Sequence, residues 1–261
     1  MDSADSGGGQ MTTAVQDKGT AIVTGASRGI GAAIAKRLAS DGYGVIVNYA
    51  NDANGAQSVV SAITGTGGKA VAVQADVASE DDVAAMFDRA RQQMGPVTAL
   101  VNNAGALGEL ARIDEQRSDA LARLMQINVV GPMLCAKHAV RAMSTGHGGK
   151  GGSIVTIASV AAKAPAGASG SIPYEATKGA LVTFARGLSN EVASEGIRSN
   201  SVSPGVIDTE MAVPDLREAI GKQAPLGRIG QPDEIAATVS WLVSPEASFV
   251  TGSDITVSGG L

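Results

Sequence analysis

Thr20-Ala21-Ile22-Val23-Thr24-Gly25-Ala26-Ser27-Arg28-Gly29-Ile30-Gly31 runs from a short β-branched stretch, through a glycine-rich turn, into a helical pattern. Thr20 to Thr24 is predicted to form a strand and Ile30 to Ala39 a helix. A turn that leaves a strand and opens a helix lets backbone N–H groups approach a pyrophosphate, and the positive end of the helix adds to the attraction. The glycines are spaced G-x-x-x-G-x-G, which departs from the plain G-x-G-x-x-G fingerprint. Gly25, Ser27, Arg28, Gly29, Ile30 and Gly31 are therefore candidate dinucleotide-binding residues.

Beyond this turn, short apolar runs alternate with longer helical patterns, as parallel strands joined by crossover helices require. Gly44 to Tyr49 is the next strand, whose end faces an adenosine ribose in such an arrangement. An acid there would accept from a 2′-hydroxyl and repel a 2′-phosphate. The sequence has Asn48, Tyr49, Ala50 and Asn51 instead, with Arg28 in the turn, which favours NADP(H). Asp52 follows closely, and is read as a loop or helix-cap carboxylate. Ala53 to Thr64 is a second helix and Ala70 to Gln74 a third strand. This strand leads to Asp76-Val77, where the carboxylate either accepts from an adenine amine or caps a turn. Ser79 with Asp82 resembles a capping box, so the acids from Glu80 to Asp82 are assigned to a helix start.

Val97 to Val101 runs into Asn102-Asn103-Ala104-Gly105, whose small residues leave room for a flat cofactor and whose asparagine amides can pin neighbouring strands, or which form an ordinary turn. Arg117 to Met143 carries one long helical pattern with Asn128 inside its apolar set. A buried amide there is either a satisfied core residue or an anchor for water or backbone. Gly149-Lys150-Gly151 is no P-loop, since neither a hydroxyl residue nor a helix follows. The strand Ser153 to Ala158 ends at Ser159. Tyr174 and Lys178 lie four apart on the helix that follows, so they share a face. An ammonium beside a phenol favours the phenolate and lowers the phenol pKa, giving a proton donor or acceptor without histidine. Ser201 to Ser203, then Pro204-Gly205-Val206-Ile207-Asp208-Thr209, lead into residues 211–228, read as a mobile flap. Pro232 opens a last helix, and Asp254 to Val257 is a last strand.

Composition narrows the function classes. The chain has 261 residues, 44% of them hydrophobic but only 3% aromatic, with 34 glycines, so its core is aliphatic and closely packed. A net charge of −5 argues against nucleic-acid and anionic-membrane partners. The lone cysteine, Cys135, rules out an intrachain disulfide and suits a reducing, cytoplasmic compartment. No apolar run is long enough to span a bilayer. Residues 1–17 are polar and glycine-rich, lack the pattern of a signal peptide, and are expected to form a disordered tail. His138, His147 and Cys135 have no ligand spacing, so no metal is expected.

In this order, the motifs resemble the short-chain dehydrogenase/reductase family from Gly19 to Leu261. Thr24 to Gly31 is similar to its cofactor turn, Asn102 to Gly105 to its Asn-Asn-Ala-Gly segment, and Tyr174 with Lys178 to its Tyr-x-x-x-Lys pair. Ser159 and Asn128 match the rest of its catalytic tetrad, and Pro204-Gly205 with Thr209 its nicotinamide segment. The interval between Ser159 and Tyr174 is slightly longer than usual, and Ser169 and Ser171 offer competing hydroxyls.

The resemblance implies an α/β, single-domain, doubly wound Rossmann fold over residues 18–261, with a central seven-stranded parallel sheet flanked by helices on both faces and a substrate flap near 208–230. It implies an NADP(H)-dependent oxidoreductase acting on a small carbonyl or alcohol. Tyr174 would exchange the proton, Ser159 orient the oxygen, Lys178 lower the tyrosine pKa and hold the ribose, and Asn128 hold a water. Ile207 and Thr209 would place the carboxamide; Asn48, Tyr49, Ala50, Asn51, Asp76, Val77, Asn103, Ala104, Gly105, Pro204 and Gly205 would line the cofactor. The resemblance extends to 3-oxoacyl-carrier-protein reductases and glucose dehydrogenases. The carrier-protein activity fits less well, because Leu188-Ser189-Asn190-Glu191 lacks an arginine common in those reductases. A non-catalytic dinucleotide-binding regulator would have no use for the complete tetrad. By analogy the chain is a homotetramer, with Ala136, Ala139, Gly179, Ala180, Thr183 and Gly187 packing across two-fold axes.

Overall fold

The computed structural model describes residues 18–163, 170–210 and 221–261; the expected tail, Ser169 and most of the expected flap lie outside them. Seven strands form one parallel sheet: β1 (Thr20–Val23), β2 (Gly44–Tyr49), β3 (Lys69–Gln74), β4 (Val97–Asn102), β5 (Gly152–Ile157), β6 (Ile197–Pro204) and β7 (Asp254–Val257). Their order across the sheet is β3-β2-β1-β4-β5-β6-β7. All neighbours run parallel, with Ile22 opposite both Ile46 and Leu100. The winding reverses between β1 and β4, and there the crossovers leave a crevice at the carboxyl ends of the strands. The expected seven-stranded doubly wound sheet is what the chain forms.

The main helices are α1 (Gly29–Ser40), α2 (Ala53–Gly65), α3 (Glu80–Met94), α4 (Ser118–Met125), α5 (Gly131–Met143), α6 (Ile172–Val192) and α7 (Pro232–Val243). Strands covered on both faces need continuous apolar runs, and β1 and β2 have them, with Ala21, Ile22, Val23, Val45, Ile46 and Val47 all fully buried. Alternate side chains then feed two cores. Ala21, Val23, Val45 and Val47 pack with Ile34 and Leu38 of α1, Val59 of α2 and Val239 of α7. On the other face Ile22, Ile46, Leu100 and Ile154 pack with Met86 of α3 and Cys135 and Met143 of α5. Each fully buried Val or Ile contributes about 1.5–3 kcal/mol, so the sheet is the rigid part on which the loops stand.

The single helix expected from Arg117 to Met143 is interrupted. α4 passes through a π-helical turn, Gln126–Val130, into α5, and the Gly131 N–H donates to the Gln126 carbonyl. Pro132 explains the break: it has no N–H for the carbonyl of Asn128, its ordinary α-helical acceptor. Such π turns are frequent at functional positions. Ala136 and Ala139, expected at a subunit contact, are buried within this chain's own core. On α6, Gly179 and Ala180 are half-buried, and Thr183 and Gly187 are exposed.

Candidate active site

The glycine turn is held shut by its neighbours. Gly25 has φ +61° and Gly29 φ +55°, a region that favours glycine. A Cβ on Gly31 would lie 2.4 Å from the Gly25 carbonyl oxygen and 2.5 Å from Asn103 Nδ2. Asn103 Nδ2 donates to the carbonyls of Thr24 and Gly25, while the N–H groups of Asn103 and Ala104 donate to Thr24 Oγ1. Asn48 clamps the turn from the other side: its Oδ1 accepts from Gly25 N, and its Nδ2 donates to Ala75 O and Val73 O. Asn103 thus pins the neighbouring chain after β1, as its place in the sequence suggests, whereas only the tertiary fold reveals that Asn48 fastens the turn.

The N-terminus of α1 has no side-chain cap and no acid in its first turn. By contrast, Asp52 caps α2 through the Gly55 N–H, and Ser79 caps α3 through Asp82 N. Both expected capping roles are therefore filled. The uncapped start of α1 leaves positive helix-end N–H groups facing the crevice, suited to a diphosphate.

The crevice has a volume of about 560 Å³. Gly25, Ser27, Arg28, Gly29, Ile30 and Gly31 line it at one wall, with Asn48, Ala50, Asn51, Asp76 and Val77 at one end. Asn103, Ala104 and Gly105 lie at its floor, and Ser159, Tyr174, Lys178, Pro204, Gly205, Ile207 and Thr209 line its other end. Tyr49 is the exception and a correction: the alternation along β2 turns it away, against the core beside α1 and α2. Asp76 serves its turn, with Oδ1 accepting from Ala78 N, and also takes Arg123 Nη2 on Oδ2 at 2.7 Å.

At the chemical end, the Ser159 hydroxyl is close enough to the Tyr174 phenol to favour its ionised form, and it accepts from Ala161 N. The other hydroxyl in question, Ser171, donates to Glu175 Oε1 at 2.8 Å. Lys178 is only 5% exposed; its Nζ donates to the Ile157 carbonyl at 2.9 Å and lies 5.5 Å from the Tyr174 ring centre. The expected electrostatics need correction. Burial pushes the Tyr174 phenol up, offset in part by the Ser159 hydroxyl beside it. The lysine is itself brought down to about 8 by burial, because an ammonium stripped of water favours its neutral form.

Asn128 lies behind the crevice wall and is 1% exposed. Its Oδ1 accepts from Ala106 N, and its Nδ2 donates to Ala106 O and Thr177 Oγ1. The side chain thus ties the loop after β4 to α6. The sequence allowed a backbone anchor at Asn128, but not its partners, Ala106 and Thr177, because these depend on contacts across three elements.

Comparison with known proteins points the same way. The family described as Enoyl-(Acyl carrier protein) reductase matches residues 25–261. An uncharacterized oxidoreductase of Escherichia coli, YgfF, is 44% identical over 92% of this chain and 98% of its own. Glucose 1-dehydrogenase 2 of Bacillus subtilis is 38% identical over 93% of this chain and 94% of its own. Among solved structures, a short chain dehydrogenase from Burkholderia cenocepacia in complex with NADP superposes with a TM-score of 0.87 at 36% identity, covering 94% of this chain and 98% of that one. This chain belongs to the short-chain dehydrogenase/reductase family.

As a short-chain dehydrogenase/reductase, the protein is an oxidoreductase of a family that uses a nicotinamide cofactor. The crevice suits one, with an uncapped helix end over glycines that no side chain can replace. Sequence reading missed Arg123, paired with Asp76, and Glu210, whose Oε2 lies 2.9 Å from Arg28 Nη1. Among the described residues, no cluster of His, Cys, Asp and Glu could hold a metal, and no helix is long and apolar enough to cross a membrane. Burial pushes the Cys135 thiol up to about 12, so it is a core residue and a poor nucleophile.

Proposed function

We propose that the protein is an NADP(H)-dependent carbonyl reductase that interconverts a ketone or aldehyde and the corresponding alcohol. The observation that carries this reading is the Ser159–Tyr174 hydroxyl pair lining the cofactor crevice, with the Lys178 ammonium beneath it. A bound nicotinamide supplies or accepts the hydride at the substrate carbon. Tyr174, kept protonated by burial, gives its proton to the carbonyl oxygen as negative charge develops there. Ser159 donates to the same oxygen and holds it in line. Lys178 stabilises the phenolate left behind and holds the ribose. Lys178 then passes a proton to the phenolate, and a water held at Asn128 and joined to solvent restores the proton of the lysine.

Support for NADP(H) over NAD(H) comes from Arg28 in the crevice; Asp52 also lines it, with Oδ1 accepting from Gly55 N at the start of α2. The mouth favours a small uncharged substrate. In the segment after β4 and at the start of α6, Leu110, Ile113 and Ile172 are exposed, while Arg112 pairs with Asp114, and Arg117 with Glu109 and Asp119. Those guanidiniums are already neutralised, which disfavours docking of an acidic acyl carrier. For the assembly we infer a homotetramer built on the outer face of α6, where Thr183 and Gly187 are exposed. Residues 18–261 act as one catalytic domain in a cytoplasmic enzyme.

The test is NADPH oxidation, followed by absorbance, against ketones, aldehydes, sugars and acyl-carrier thioesters, with the parent and Tyr174→Phe side by side. Turnover of simple carbonyls by the parent, lost in the variant, is expected. Equal rates in the two proteins, or activity confined to acyl-carrier thioesters, would overturn the reading.

A further inference from the structure

Arg28 and Glu210 face each other across the crevice. Arg28 is the residue just before α1 in the glycine turn, and Glu210 lies beyond β6, directly after Thr209. Their contact, Nη1 to Oε2 at 2.9 Å, spans a separation of 182 residues. The two walls also come together beside it, since a Cβ on Gly29 would be 3.4 Å from Thr209 Cγ2. Both charged side chains are well exposed, at 68% and 75%, and both line the crevice. The pair is therefore weak by its setting: solvent-exposed ion pairs contribute little and are screened by salt. It is nevertheless specific, because Arg28 is the cation offered to a cofactor phosphate at this wall.

We propose that Glu210 sets the cofactor preference by competing with the ribose 2′-phosphate for Arg28, an inference that rests on the NADP(H) reading above. A phosphate dianion makes paired, charge-assisted hydrogen bonds with a guanidinium, and these are stronger than an exposed carboxylate contact. Binding of NADP(H) accordingly exchanges one anion for another at Arg28 and leaves Glu210 without its partner. Binding of NAD(H) brings no competing charge and leaves the pair in place. Glu210 thus weakens NADP(H) binding while leaving NAD(H) binding unchanged, and it narrows the ratio between them. Its position immediately after Thr209 places this control next to the segment assigned to the nicotinamide.

The test measures dissociation constants of NADPH and NADH by nucleotide fluorescence, without substrate, for the parent, Glu210→Gln and Arg28→Ala. Glu210→Gln is expected to tighten NADPH by up to about fivefold, as for loss of an exposed ion pair, and to leave NADH within error. The gain should shrink as salt is raised from low to physiological strength. Arg28→Ala should weaken NADPH at least tenfold and abolish any effect of Glu210→Gln in the double variant. If Arg28→Ala lowers NADPH affinity but Glu210→Gln changes neither nucleotide, the competition is refuted and the NADP(H) reading stands. If Arg28→Ala leaves the NADPH to NADH ratio unchanged, the NADP(H) reading fails. Equal tightening of both nucleotides by Glu210→Gln would also refute the competition, since that would report on the crevice as a whole rather than on the 2′-phosphate.

Discussion

Lys178 is an ammonium held where water scarcely reaches, with the Ile157 carbonyl as its acceptor and the Tyr174 ring beside it. Its pKa falls from 10.5 in the unfolded chain to about 8 in the fold. Between those values the unfolded chain binds more protons than the folded one, so stability rises with pH through that window. Below about pH 8 the full cost of burying the charge is present. Lys178→Met is therefore expected to stabilise the protein by about 2 kcal/mol at pH 7, after loss of the Ile157 hydrogen bond, and by nothing above pH 10.5. Thermal melts at the two pH values check this, and a variant less stable at pH 7 would contradict it. The same titration governs turnover. Carbonyl reduction should hold below about pH 8 and fall above it as the ammonium is lost, since burial keeps the phenol protonated beyond that range. Tyr174→Phe should lower kcat by about 10²–10⁴-fold with NADPH affinity unchanged, as read by stopped-flow turnover and nucleotide titration.

At the scale of elements, the π turn Gln126–Val130 is the piece whose geometry has no simple periodic signature. An apolar pattern of period 3.6 runs through it with little disturbance, and only Pro132 hints that the carbonyl of Asn128 loses its α-helical donor. The amide of Asn128 meanwhile satisfies both backbone groups of Ala106 and reaches Thr177 on α6. Asn128→Ala would leave those buried groups unpaired, at a cost of about 2–4 kcal/mol. Denaturant unfolding should show that loss together with reduced turnover; an unchanged midpoint would mean that the clamp carries no stability. The glycine turn is the opposite case. It was readable because its chemistry is local, as the positive φ at Gly25 and Gly29 and the close approach at Gly31 can be met only by glycine.

For the whole molecule, the outer face of α6 is where the proposed tetramer is exposed to test. A Cβ added at Gly187 meets nothing within 4 Å in this chain, so Gly187→Arg should leave the monomer fold intact while blocking close packing of a second copy. Light scattering after size exclusion should then show a mass below that of the parent, with an unchanged circular dichroism spectrum. A monomeric parent would refute the assembly. Ala136 and Ala139 are small for a different reason than the sequence suggested: they fit α5 against the chain's own sheet. Small residues on a helix announce close approach, but the pattern does not say to what.

By itself the sequence determined the alternation of strand and helix, the parallel sheet, the glycine turn and the order of the site motifs. Each of these follows from local stereochemistry or from periodic burial, which neighbouring residues specify among themselves. The tertiary structure alone decided that Tyr49 turns against the core, that burial pushes the Tyr174 phenol up, that Asn128 spends its amide on a loop and a helix, and that Arg28 meets Glu210. Those outcomes depend on desolvation and on contacts between residues distant in the chain, and such quantities exist only once the sheet has brought the carboxyl ends of its strands together.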